Sequence, residues 1–138
     1  LVLRTAWLFG PGGRNFVSRM PALLREHGRI RAVGDQVSSP TAASDLAGWI
    51  VRNAARAAGG VYHVVNEGAL SYAEAARVIA AALGLDPEDA VTEIPGASID
   101  RPAPRPQHSA LRSIAIRAEG LERLPPARAA LEAFARRA

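Results

Sequence analysis

Lysine and cysteine are both missing from this 138-residue chain, and each absence removes a class of chemistry. Without cysteine there is no disulfide framework and no thiolate metal site. Without lysine no Walker A phosphate loop can exist, because that loop needs its lysine on the phosphates. No apolar run approaches the roughly 18 residues of a membrane span, and no basic, apolar, small-residue leader of the secretory type is present. The default location is therefore cytoplasmic, without a membrane partner. All 17 basic residues are arginine, giving a net charge of +4, but they are spread along the chain and the longest run is Arg136-Arg137. Nucleic-acid binding calls for arginines clustered on one face with aromatic platforms, so nucleic acid is not read as a partner. His27, His63 and His108 stand far apart, which argues against a metal site. The G-x-S-x-G nucleophile elbow of serine hydrolases is also missing.

What is present is an alternation of strand-like and helix-like segments. Leu1–Leu8 reads as one strand, stopped by Gly10-Pro11-Gly12-Gly13. Asn15 can cap a helix to about His27, with Phe16, Met20, Leu23 and Leu24 at three- and four-residue steps and Gly28 as the stop. Ile30–Val33 is a short strand and Gly34–Thr41 a polar loop. Thr41 or Ser44 is expected to cap a helix to about Ala58, ended by Gly59-Gly60. Val61–Asn66 reads as a strand buried on both faces. Ser71 and Glu74 form an S-x-x-E capping box ahead of a helix to about Leu83, closed by Gly84. A turn over Asp86–Ala90 precedes a strand at Val91–Ile94. Pro95–Pro106 is too rich in proline for regular helix, and Ser109–Arg117 is ambiguous. A last helix spans Ala127–Arg137, with Leu131 and Phe134 inward. The alternation points to an α/β fold with parallel pairing. It is too short for a complete doubly wound nucleotide fold and suits the second half of one. Leu1-Val2-Leu3 opens directly on a strand, so an upstream domain is expected.

The glycine-rich loop does not complete a dinucleotide fingerprint. Gly10 and Gly12 supply G-x-G after a strand, but Asn15 stands where the third glycine belongs. The other loops carry Trp7, Asn15, Gln36, Thr41, Arg101, Arg105 and Ser109. Arginine forks fit diphosphate oxygens bidentately, and aromatic rings offer flat faces to a sugar or base. Each residue also has a structural reading: Trp7 as core, Asn15 as a helix cap, Gln36 as a loop tie, and Arg105 as the ion-pair partner of Asp100. Glu119, Glu122 and Glu132 read as solvated surface.

Several spaced segments together resemble the dTDP-4-dehydrorhamnose reductase family. They are Arg4-Thr5-Ala6-Trp7-Leu8-Phe9-Gly10, Asn15-Phe16-Val17, Asp35-Gln36-Val37 with Pro40-Thr41, Val61-Tyr62-His63-Val64, Arg105-Pro106 with Ser109 and Leu111, and Leu124-Pro125-Pro126. They run in the family's order through the whole of residues 1–138. One departure is Ser38-Ser39, where a glycine is common; serine is costly there only if the backbone needs a positive φ. The resemblance implies the C-terminal part of an NAD(P)-binding Rossmann-type extended short-chain dehydrogenase, with a small α/β substrate-binding lobe. It implies an upstream cofactor half that binds NADPH or NADH and carries a Tyr-x-x-x-Lys pair, with magnesium and a homodimer left open for the parent enzyme. That pair cannot lie here, since Tyr62 and Tyr72 are followed four residues later by Asn66 and Ala76. By the same resemblance the parent enzyme reduces dTDP-4-dehydro-L-rhamnose to dTDP-L-rhamnose. Trp7, Asn15, Gln36, Thr41, Arg105 and Ser109 would serve the dTDP-sugar, with Trp7 against the sugar ring and Arg105 on the diphosphate. Two rivals are a related deoxysugar ketoreductase and a non-catalytic regulatory protein of the same fold.

Overall fold

The computed structural model describes residues 1–138 and holds an α/β fold of short strands and six helices. The strands are β1 (Val2–Arg4), β2 (Leu8–Phe9), β3 (Ile30–Val33), β4 (Val37–Ser38), β5 (Thr41–Ala42), β6 (Val61–His63), β7 (Leu70–Ser71) and β8 (Val91–Ile94). The helices are α1 (Phe16–His27), α2 (Ala43–Asn53), α3 (Tyr72–Ala82), α4 (Pro87–Ala90), α5 (Ile114–Ala118) and α6 (Ala127–Arg137). The expected parallel pairing holds for β1 with β6, β2 with β5 and β3 with β8, while β4 and β7 pair antiparallel. No helix is long and apolar enough to cross a membrane.

Local chemistry explains most of the boundaries. The Asn15 Oδ1 atom accepts from Ser18 N at 3.0 Å and so caps α1, and Gly28 ends that helix at φ 71°. Such a left-handed turn is open to glycine at little cost. At the start of α3 both halves of the capping box are made: Glu74 N donates to Ser71 Oγ at 3.1 Å, and Ser71 N donates to Glu74 Oε2 at 2.7 Å. Removing the first bond by Ser71→Ala should lower stability by about 1 kcal/mol. A lower denaturation midpoint at unchanged m-value would show it, and an unmoved midpoint would refute it. The Asp86–Ala90 turn is in fact the single helical turn α4, capped by Asp86 Oδ1.

Five expectations are corrected. The strand Leu1–Leu8 is broken between β1 and β2, because Trp7 turns the backbone into the left-handed region at φ 39°. Neither Thr41 nor Ser44 caps α2: its first residues follow Ala42, which has no side-chain cap of its own, and Ala42 N instead donates to Asn66 Oδ1 at 2.8 Å. That helix stops at Asn53, short of Ala58. The Val61–Asn66 segment is strand only to His63, and Val61 is 51% exposed, so it is not buried on both faces. The loop Gly34–Thr41 is polar in composition yet largely buried, containing β4 and the first residue of β5. Ser38 and Ser39 need no positive φ. Their hydroxyls tie the loop to the later segment instead, Ser38 Oγ to Ser109 O at 3.3 Å and Ser39 Oγ from Leu111 N at 3.1 Å.

Two apolar cores result. The larger packs α1, α3 and α6 around β3 through Met20, Leu24, Ile79 and Leu131, with Phe134 partly buried at its margin. The smaller joins α2, β6 and α5 through Trp49, Tyr62 and Ile116. Polar staples fasten it. Trp49 Nε1 donates to Glu122 O at 2.7 Å, the Arg52 guanidinium grips the Glu122 carboxylate, and Tyr62 Oη donates to Glu119 Oε1 at 2.6 Å. Glu119 and Glu122 are therefore structural partners rather than free surface acids. The bond to Glu119 pushes the Tyr62 phenol up from its ordinary range. Arg123, with Arg117, holds the Glu67 carboxyl below its ordinary range. A depressed carboxyl stabilises the fold above its unfolded value, and that contribution fades as pH falls through the folded one.

Candidate nucleotide-sugar cleft

Two adjoining clefts of about 350 Å³ each lie beside the proline-rich strap and share Ile99, Arg101 and Arg105. One is walled by Asn15, Phe16, Arg31, Val33 and Tyr72, the other by Asp35, Gln36, Gly96 and Gln107. The strap is pinned at its root, where Gly96 N donates to Asp35 Oδ1 at 2.8 Å. The backbone of Gly96 lies close against both side chains: a Cβ there would sit 2.4 Å from Gln36 Nε2 and 2.9 Å from Asp35 Oδ1, so these side-chain ends would have to shift. Farther along, Arg101 Nη1 donates to Gln36 Oε1 at 3.2 Å.

Electrostatics single this region out. Arg31, Arg101 and Arg105 converge on one cleft, and none of them belongs to an ion pair. Arg105 does not pair with Asp100; its side-chain hydrogen bond goes to Tyr72 Oη at 3.4 Å. Three guanidinium groups without a carboxylate make a site for a multiply charged anion. The aromatic wall is ordered. Tyr72 stacks on Trp7 with centroids 3.7 Å apart and planes at 18°, and Phe16 meets Tyr72 edge-on at 5.8 Å. Trp7 is the one non-glycine residue with positive φ, a conformation that costs about 1–3 kcal/mol and persists where the surroundings enforce it.

The six expected ligand residues fall into two groups. Asn15, Gln36 and Arg105 line the clefts, and Trp7 adjoins them through its stack on Tyr72. Asn15 also caps α1 through Oδ1, and its Nδ2 donates one bond to Leu8 O at 2.9 Å. Thr41 and Ser109 line neither cleft. Thr41 is wholly buried and donates to Ser39 O at 3.1 Å, and Ser109 pairs with Val37, so both hold the loop rather than face the cleft. Phe16, Arg31, Ile99 and Tyr72 line the cleft without having been expected there. The sequence did offer one signal for two of them: each directly follows a helix-capping residue, Asn15 or Ser71, which fixes its place at the mouth of a helix.

A larger hollow of about 540 Å³ lies between the Gly10-Pro11-Gly12 loop and α6. The loop turns its polar groups inward: Gly13 N donates to Gly10 O at 3.2 Å and Gly10 N to Ser18 Oγ at 3.2 Å. The loop lacks the third glycine that lets a dinucleotide loop's backbone approach a pyrophosphate, since Asn15 stands there. No group of three or more His, Asp or Glu side chains is placed to hold a metal ion.

A family model described as "RmlD substrate binding domain" matches residues 1–138. A dTDP-4-dehydrorhamnose reductase of Mycobacterium tuberculosis (strain ATCC 25618 / H37Rv) is 41% identical over 132 residues, covering 94% of this chain and 43% of the relative. A dTDP-4-keto-6-deoxy-D-glucose reductase of Streptomyces niveus is 35% identical over 120 residues, covering 87% and 41%. Among solved structures, dTDP-4-dehydrorhamnose reductase from Bacillus anthracis in complex with NADP superposes with a TM-score of 0.86 at 32% identity, covering 96% of this chain and 46% of that one. The chain thus spans less than half the length of the relatives it matches.

Proposed function

The chain belongs to the RmlD substrate binding domain family, and from that premise we propose that it is the dTDP-sugar-binding half of an NAD(P)H-dependent reductase that converts dTDP-4-dehydro-L-rhamnose to dTDP-L-rhamnose. The observation that supports this most is the cleft with three unpaired arginines and an aromatic wall. Arg105 and Arg101 take the diphosphate oxygens, Arg31 adds charge at the cleft wall, and the ring of Phe16 offers a face to the thymine. Trp7 lies on the sugar side. Asn15 and Gln36 fix the corners, while Thr41 and Ser109 hold the loop that carries Gln36. Binding energy spent on the nucleotide end places the C4 carbonyl for reduction, the way remote contacts serve a reacting centre.

The residues of this chain do not fit a dinucleotide. It has no lysine, and Asn15 stands where the third glycine of a dinucleotide loop belongs. The dinucleotide, when bound by an upstream half, supplies the hydride. Proton donation belongs to the Tyr-x-x-x-Lys pair of that half. The fold leaves room for such a half: β1 pairs only with β6, and Val2, Val61 and Val51 are 54%, 51% and 86% exposed. The relatives' extra length is consistent with this arrangement.

Spectrophotometric assay of the full-length gene product should show NADPH or NADH oxidation dependent on dTDP-4-dehydro-L-rhamnose. No turnover of any dTDP-4-keto sugar would sink the proposal. Turnover restricted to another dTDP-4-keto sugar would favour a second reading, a related deoxysugar ketoreductase, which the resemblance to the Streptomyces niveus reductase supports.

A further inference from the structure

We propose that Tyr72 is a positioning residue that joins Trp7 and Arg105 into one recognition unit for a nucleoside diphosphate; the inference rests on the nucleotide-sugar reading of the cleft. Tyr72 is the first residue of α3, and the capping box at Ser71 and Glu74 fixes where that helix begins. Its side chain makes three contacts in three directions. One face stacks on Trp7 at 3.7 Å, Phe16 meets it edge-on at 5.8 Å, and the hydroxyl accepts from Arg105 Nη1 at 3.4 Å. The ring itself lines the cleft beside Arg31, Arg101 and Arg105.

The chemistry of the Arg105 partner carries the argument. A carboxylate would orient a guanidinium and also neutralise it, so an incoming phosphate would have to compete. A neutral phenol orients the guanidinium while leaving its charge and its remaining N–H donors for the ligand. Arg105 belongs to no ion pair, and it comes from a proline-rich strap outside any regular element, where a long side chain otherwise ranges freely. The Tyr72 hydroxyl restricts that range. The same ring supports Trp7, whose left-handed backbone needs an external constraint. The phenol and the ring therefore serve different ends of the ligand, the hydroxyl its diphosphate and the stack its sugar.

The test is a double-mutant cycle in the full-length protein, with dTDP binding measured by calorimetry. Tyr72→Phe keeps the stack and should weaken dTDP binding roughly fivefold at unchanged melting temperature. In turnover it should raise KM and leave kcat unchanged. In an Arg105→Ala background the same change should have no further effect, because the hydroxyl then has nothing to position. Wild-type protein that binds dTDP while Tyr72→Phe binds it equally well would overturn the inference alone. So would an equal loss in both backgrounds, which would mark a merely structural role. Wild-type protein that does not bind dTDP would overturn the nucleotide reading of the cleft, and this inference with it.

Discussion

Arg105→Ala in the full-length protein is expected to weaken dTDP-sugar binding roughly 30-fold, about 2 kcal/mol, the scale of a lost hydrogen-bonded contact to a charged group. The fold should survive intact. Arg105 is exposed, makes no ion pair and contributes one long hydrogen bond of 3.4 Å, so little native structure depends on it. Arg105→Lys restores the charge without the planar fork and should recover only part of the loss, since an ammonium cannot meet two diphosphate oxygens in parallel. Raising the ionic strength should narrow the difference between wild type and Arg105→Ala, because an exposed cation acts partly through screened attraction. Isothermal titration with dTDP at two salt concentrations measures both effects. Equal affinity of wild type and Arg105→Ala would remove the arginine cleft as the diphosphate site, and the hollow beside the Gly10-Pro11-Gly12 loop would become the next candidate.

The contrast between Asn15 and Tyr72 shows how far the sequence could be read. Asn15 was legible as a cap, because capping is decided within four residues: the side chain of one residue meets the amide of another three along. The same locality made Gly28, the Ser71–Glu74 box and the limits of α6 readable. Tyr72 was not legible as a site residue, since its partners Trp7, Phe16 and Arg105 are separated from it by 33 residues or more. The break at Trp7 was hidden for a related reason. Leu1–Leu8 alternates as a strand should, and only tertiary packing selects a left-handed φ for a bulky residue inside it. The buried character of Gly34–Thr41 was masked by its composition, because serine hydroxyls bonded to the segment around Ser109 and Leu111 make burial affordable. Motif order located the arginine strap and the Asp35-Gln36 loop as separate pieces, while the fold alone brought Arg101 onto Gln36.

Asn66 is where the next large effect is expected. Its side chain is fully buried and uses both functional groups. The Oδ1 atom accepts from Ala42 N at 2.8 Å, and Nδ2 donates to Asp45 Oδ2 at 2.8 Å and to Pro125 O at 2.9 Å. One amide thus ties the start of α2 to the segment that leads into α6. Asn66→Asp changes almost no volume but turns the double donor into an acceptor. The new carboxylate would face Asp45 and the Pro125 carbonyl with no proton to share, and an unpaired buried charge costs about 3–5 kcal/mol. Against a total stability of about 5–15 kcal/mol, that loss is severe. The penalty should depend on pH. Burial beside Asp45 raises the new carboxyl above its ordinary value of about 3.9. Between the two values the folded state binds more protons than the unfolded one, so lowering the pH restores stability to the variant. Glu67 is common to both proteins and, held below its ordinary range, keeps its contribution at pH 5 and above, so it leaves the gap unchanged. Thermal unfolding of both proteins at pH 5 and pH 8 should therefore show a gap that is smaller at pH 5. A variant that melts with the wild type at pH 8, or a gap that widens in acid, would mean that Asn66 does not hold these segments together through its amide.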